Sequence, residues 1–223
     1  MSYILNIESS TTNCSISLAN NGKLISIREF NEKNYSHSTK LHSFIEEVLK
    51  NSNISVNKLS AIAVSSGPGS YTGLRIGVST AKGLCYGLDI PLISISTLKA
   101  MSFGMALEIK ADLYCPMIDA RRMEVYSAFF DINNTEVRKI QADIIDENSY
   151  KKELEKKVVF FGDGSEKLIE KIKDKNAIFV SDIHPSAKNM GLLSYQKFAK
   201  SLFEDLAYFE PFYLKDFVAG RKS

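Results

Sequence analysis

Three stretches of the 223-residue chain carry residue types that could bind a phosphate or hold a metal. The first is Glu8-Ser9-Ser10-Thr11-Thr12-Asn13, an acid followed by hydroxyls. An acid beside a turn can position magnesium. A turn that grips a nucleotide also needs glycine, so that backbone N–H groups approach phosphate oxygens without a Cβ in the way. This turn has none. The second, Asp119-Ala120-Arg121-Arg122-Met123-Glu124, has none either. There Asp119 and Glu124 could ligate a metal, or Asp119 could cap a structural turn. Arg121 and Arg122 could meet a phosphate or pair with the two acids. The third stretch, residues 65–77, reads SSGPGSYTGLRIG and offers Gly67, Gly69 and Ser70 ahead of a helix. Free N–H groups and the helix dipole favour an anion there. The strict phosphate motifs nevertheless fail: no Lys follows Gly73, and the spacing of Gly67, Gly69 and Gly73 misses G-x-G-x-x-G. Either these glycines seat a helix against a strand, or they form an anion site.

Other chemistry finds little support. The histidines are His37, His42 and His184, and the first two are five apart, so on a helix they point about 140° away from each other. That spacing excludes the i, i+4 pair of an H-E-x-x-H zinc site, and no G-x-S-x-G elbow occurs. Cys14, Cys85 and Cys115 are odd in number and scattered, which fits reduced core thiols of a cytoplasmic protein. No metal and no cofactor is expected.

The elements that must position these residues follow from periodicity. Residues 3–7, 14–18 and 23–30 read as strands, with Cys14, Ile16 and Leu18 on one face and Asn20-Asn21-Gly22 as a hairpin turn. Leu41, Phe44, Ile45, Val48 and Leu49 recur at helical spacing within residues 36–50. Strand 59–65, helix 72–88, strand 91–95 and helix 97–108 complete a βββαβαβα unit. The order then repeats, with strands 113–118, 123–131 and 137–142, helix 148–157, strand 158–161, helix 165–173, strand 177–180 and a long helix 187–206. Two such units in tandem predict an α/β fold of duplicated βββαβα type, the actin-like ATPase (ASKHA, ribonuclease H-like) architecture, in two lobes divided as residues 1–103 and 104–223. The tail 218–223 is short and polar.

Composition narrows the function. The net charge is +2, with 44% hydrophobic and 24% charged residues, which excludes a disordered chain. No apolar run reaches a membrane span, and no basic n-region marks a secretory signal. The first 103 residues hold nine Lys/Arg against six Asp/Glu, and the remainder 19 against 20. Neither half has the basic excess of a protein that grips nucleic acid alone.

Several segments together resemble the TsaB (YeaZ) family. They are ILNIESSTTNCSISL at 4–18, His37-Ser38, SSGPGSYTGLRIGVSTAKGLCYG at 65–87, IPLISISTLKAM at 90–101, DARRMEVY at 119–126, FGDG at 161–164 and EPFYL at 210–214. Glu8, Tyr71 and Thr39 stand where that family usually has Asp, Phe and Glu. The resemblance implies a non-catalytic scaffold of the machinery that makes N6-threonylcarbamoyladenosine in tRNA reading ANN codons. Its implied partners are the catalytic paralogue TsaD, the ATPase TsaE, and a second copy of itself when TsaD is absent. tRNA is reached only through that complex, in the cytoplasm and away from membranes. TsaD carries a metal-binding H-x-x-x-H helix; the corresponding residues 96–106 have no histidine. The competing functions are an actin-like-fold ATPase or kinase, and a metallopeptidase of the wider glycoprotease-like family.

The resemblance also places the partner surface on helices 36–50 and 72–88. The first has more apolar and small positions than one buried face needs, and the second carries glycines that let another backbone approach. The expected contact residues are His37, Leu41, Phe44, Ile45 and Val48 on one helix, with Gly73, Ile76, Gly77, Thr80, Ala81 and Leu84 on the other. Glu8, Ser10, Thr11, Gly67, Gly69, Ser70, Asp119 and Arg121 remain as a vestigial nucleotide or anion site.

Overall fold

The computed structural model describes residues 1–32 and 37–215, so Ser36, the tail 218–223 and the side chain of His37 lie outside the described residues. The opening meander forms as its alternation predicts, as β1 (Tyr3–Glu8), β2 (Asn13–Asn20) and β3 (Lys23–Asn31). Asn21 (φ +48°) and Gly22 (φ +82°) turn the β2–β3 hairpin in the left-handed region, which Asn and Gly enter at least cost. Then follow α1 (His37–Asn51), β4 (Leu59–Gly67), α2 (Tyr71–Leu88), β5 (Leu92–Ser96) and α3 (Thr97–Glu108). The second half supplies β6 (Leu113–Asp119), β7 (Glu124–Phe130), β8 (Glu136–Ile144), β9 (Val158–Phe161), α4 (Glu166–Ile169), β10 (Ala177–Val180) and α5 (Gly191–Ala199).

The sheets repeat one another. The first runs β3-β2-β1-β4-β5 and the second β8-β7-β6-β9-β10. In each, the first strand pairs antiparallel with the second and parallel with the fourth. This is the duplicated two-sheet α/β arrangement that the element order predicts.

Three helices of the second half differ from expectation. Residues 148–157 form turns and one 3-10 turn, Glu153–Glu155. Tyr150 adopts φ +63°, which ends any helix there. In exchange its ring packs 5.1 Å from Phe129 and 5.8 Å from Phe160, and its hydroxyl donates to Asp143 at 2.9 Å. Helix 165–173 shrinks to the single turn α4, since Leu168 and Ile172 are its buried anchors. The long helix 187–206 breaks into a 3-10 turn, Ala187–Asn189, and α5, which ends before Ser201 (φ +53°).

These last elements lie on the first sheet although they follow the second in sequence. One face of the first sheet packs Leu5, Ile7, Cys14, Ile16 and Leu18 against α1 and α2. Its other face packs Ile4, Ala61, Ala63, Ile93 and Ile95 against Ala187, Met190 and Leu193. Small polar residues on β2 let that segment come close: Ser15 Oγ accepts from Ala187 N at 3.0 Å and Ser17 Oγ donates to Ala187 O at 2.8 Å. Helix α3 serves both halves, with Ala100 on the first sheet and Leu98, Met101 and Met105 on the second. A division at residue 103 therefore falls within a shared helix, and residues 187–199 join the first lobe in space. No described helix is long and apolar enough to cross a membrane.

Candidate functional site

Strand β1 delivers Glu8 to its C-terminal end, where the carboxyl is fully buried. Its Oε1 accepts from Ser10 N at 2.7 Å, while Oε2 and the Ser10 hydroxyl are buried with no hydrogen-bond partner. Burial pushes the Glu8 carboxyl above the usual carboxylate range, against the pull of its hydrogen bond with Ser10. The glycine-rich loop after β4 lies directly on this turn. Ser70 N donates to Ser10 O at 2.6 Å, and a Cβ on Gly69 would overlap that same carbonyl. Gly69 thus permits loop and turn to touch. Ser70 caps α2, its Oγ accepting from Gly73 N at 3.3 Å. On the outer side Phe212 N donates to Ser66 O at 2.7 Å, and the Tyr213 ring packs tilted 4.9 Å from Tyr71. Two of the amides an anion would use, those of Ser70 and Gly73, are engaged within the chain.

The second turn is a separate cluster. Asp119 Oδ1 accepts from Arg121 N at 2.6 Å and from Lys167 Nζ at 2.5 Å, and Asp119 N donates to Asp163 Oδ1 at 2.9 Å. Glu124 pairs with Lys215. The acids therefore take lysines, and neither Arg121 nor Arg122 pairs with them among the described residues. Both arginines hold left-handed backbone, φ +69° and +50°, at the exposed tip. Among the described residues no hydrogen bond or ion pair joins this cluster to Glu8; residues 212–215 span the two, touching Ser66 at one end and Glu124 at the other. No group of three His, Cys, Asp or Glu among the described residues is arranged to hold a metal ion. Replacing Asp119 by Ala removes the turn cap and the Lys167 pair, so thermal unfolding should show a loss of about 1 kcal/mol, a fall in Tm of about 2–4 °C. An unchanged Tm would mean that the turn is held by other contacts.

Most residues expected on the partner surface of the two first-lobe helices lie inside the chain. Leu41, Phe44, Ile45, Val48 and Ala81 are buried in the chain's own core, and Gly73 and Gly77 are buried beneath α2. A Cβ on Gly77 would overlap the Ser9 hydroxyl, so that glycine seats the first turn rather than a partner. Ile76 and Leu84 are half-buried against the same core, and Thr80 is half-buried. The apolar stripe marks the face each helix spends on its own sheet, because that burial is what holds the helix in place.

The outward face of α2 is built from Thr72, Arg75, Ser79, Gly83, Tyr86 and Gly87, beside His42, Ser43, Glu46 and Glu47 of α1. A Cβ on Gly83 or Gly87 would meet nothing within 4 Å, and Tyr86 is 84% exposed between them. Tyr86 and Ser79 were not among the expected residues. Their signal was phase: small residues at 72, 79, 83 and 87 repeat on the side opposite Leu74, Val78, Ala81 and Cys85.

Comparison with known proteins gives a consistent result. The family model for TsaD, tRNA N6-adenosine threonylcarbamoyltransferase, matches residues 31–222. The tRNA threonylcarbamoyladenosine biosynthesis protein TsaB of Haemophilus influenzae is 37% identical over 123 residues, 55% of this chain and 51% of its own. The chain thus spans about half the length of that relative. TsaB of Buchnera aphidicola subsp. Schizaphis graminum is 30% identical over 202 residues, 84% of this chain and 90% of its own. YeaZ from Pseudomonas aeruginosa superposes with a TM-score of 0.81 at 22% identity, over 96% of this chain and 100% of that one, so the two share a fold.

Proposed function

Because the chain belongs to the TsaB family and has its duplicated actin-like fold, we propose that it serves formation of N6-threonylcarbamoyladenosine in tRNA reading ANN codons as a non-catalytic subunit. It pairs with TsaD, and with a second copy of itself when TsaD is absent; the pair recruits the ATPase TsaE in the cytoplasm. The observation that carries the pairing is the outward face of α2, where Gly83 and Gly87 lie flat on either side of an exposed Tyr86. Side-chain-free positions let a partner helix approach closely, and an exposed aromatic beside them supplies a large apolar anchor. Two glycine-free turns and a fully buried Glu8, whose carboxyl burial pushes above the usual carboxylate range, favour a scaffold over an ATPase.

The test mixes the full chain with TsaD and TsaE from the same organism and follows association and tRNA modification. Tyr86→Ala should weaken binding to TsaD by roughly 30-fold or more, about 2 kcal/mol, and leave the monomer's Tm unchanged. Unchanged affinity would move the interface elsewhere. Magnesium-dependent ATP turnover or zinc-dependent peptide hydrolysis by the isolated chain would replace the scaffold reading with an enzymatic one.

A further inference from the structure

On the face of the first sheet opposite α1 and α2, the end of β5, the first turn of α3 and the end of α5 enclose a pocket of about 360 Å³. Lys99, Lys197 and Lys200 line it together with Ile95, Leu193 and Leu202. Lys99 and Lys200 are exposed, and neither forms an ion pair among the described residues. Lys197 is anchored, its Nζ donating to Ser94 O at 2.8 Å and lying 3.4 Å from Ser94 Oγ. Glu204 accepts from the Ser94 hydroxyl and is not part of the lining. Three lysines thus line one concavity, on a chain whose overall charge is only +2. Burial lowers the Lys197 pKa, opposed by the attraction of Glu204 and aided by the smaller repulsion of Lys99.

We propose that this pocket binds one nucleotide of an RNA strand, with the phosphate between Lys99 and Lys200 and the sugar or base against Ile95, Leu193 and Leu202. Lysines meet phosphate as point charges, and an aliphatic wall beside them suits the desolvation of a nucleoside's apolar surface. The inference deepens the tRNA role proposed above and rests on it for the choice of RNA over free nucleotide, since both carry the same phosphate chemistry. Its position matters. A partner covering α1 and α2 leaves this opposite face open, so the contact would add to the grip of the assembled complex. One such site is consistent with a chain that lacks the basic excess to hold RNA alone.

Amide spectra of the labelled full chain, titrated with inorganic phosphate, AMP and a short single-stranded RNA, test the site. RNA is expected to shift the amides of residues 96–99 and 196–202, less so as salt rises. The double variant Lys99→Glu, Lys200→Glu should bind RNA at least about tenfold more weakly, with a salt slope shallower by roughly 0.7 for the one phosphate lost, and keep its Tm because both side chains are exposed. Shifts with AMP and none with RNA would overturn the RNA assignment in favour of a free nucleotide. Silence with all three probes would overturn the site itself. In the reconstituted complex the double variant should still pair with TsaD and modify tRNA at least about tenfold less efficiently at low tRNA concentration; equal efficiency would overturn the RNA contact while leaving the pairing intact. Failure of the wild-type chain to pair would sink the scaffold reading alone, because the titration needs no partner.

Discussion

Gly83→Leu should leave the monomer folded and weaken its association by roughly 30- to 150-fold, whereas Gly77→Leu, six residues away on the same helix, should strongly destabilise the fold. At Gly83 a side chain enters open space, and replacing an exposed helical glycine gains up to about 1 kcal/mol of helix propensity. The monomer's Tm should therefore hold or rise slightly. The new side chain occupies the seat of a partner helix, and loss of close packing at a central contact corresponds to about 2–3 kcal/mol, a roughly 30- to 150-fold weaker pair. At Gly77 the first added atom overlaps Ser9, and the remaining three would drive α2 off β1, where Ile7 also lies within reach. Overpacking there should cost about 3 kcal/mol or more, a large share of the 5–15 kcal/mol that holds a domain together. Ala81→Trp belongs with Gly77, since Ala81 is fully buried in the first-lobe core. Sedimentation and thermal unfolding of the variants separate the two outcomes. A Gly83→Leu protein that still pairs at full affinity would place the interface away from α2.

Glu8→Gln should stabilise the protein at neutral pH and flatten part of its pH dependence. Burial holds the Glu8 carboxyl above its ordinary value of 4.5, so the folded state keeps a proton that the unfolded chain has already released. The stability linked to Glu8 is then complete below pH 4.5 and is lost as pH rises through the elevated folded pKa, with a slope of up to about 1.4 kcal/mol per pH unit. Glutamine keeps an oxygen for Ser10 N and has no proton to lose. The wild type and variant should be similar in mild acid, and the variant should gain as pH rises. Asp163, also raised by burial, contributes the same trend to both proteins and cancels in the difference. Denaturant unfolding across that range measures it. A difference that does not grow with pH would mean that Glu8 binds its proton equally in the folded and unfolded chains, so that burial does not raise its pKa.

Most of the fold was legible in the residues because strands and long helices advertise themselves locally. The period of two along β2, the Asn21-Gly22 turn and the repeated element order all depend on near neighbours in the chain, and both sheets adopt the topology that order implies. The two turns lacking glycine were likewise visible as residue types. Which contacts those residues make was not. Asp119 takes Lys167, and Glu124 takes Lys215 from 91 residues away, where local reading offered the arginines. The helix expected at 148–157 is interrupted at Tyr150, whose left-handed backbone accompanies the packing of its ring on Phe129 and Phe160.

The faces of α1 and α2 show the same limit. Periodicity locates an apolar stripe but does not say whether it meets the chain's own sheet or another protein, since both burials remove the same surface from water. Only the packed structure places Leu41, Val48 and Ala81 inside and leaves Gly83, Tyr86 and Gly87 outside. The placement of residues 187–199 on the first sheet is decided in the same way. Small side chains at Ser15, Ser17, Ala19 and Gly191 are unremarkable one at a time, and become a docking surface only when folding brings Ala187 onto the two serines, at 3.0 and 2.8 Å, and Gly191 against Ala19. Secondary structure follows from interactions a few residues apart, while the choice of which surfaces meet rests on contacts between residues that are neighbours only once the chain has folded.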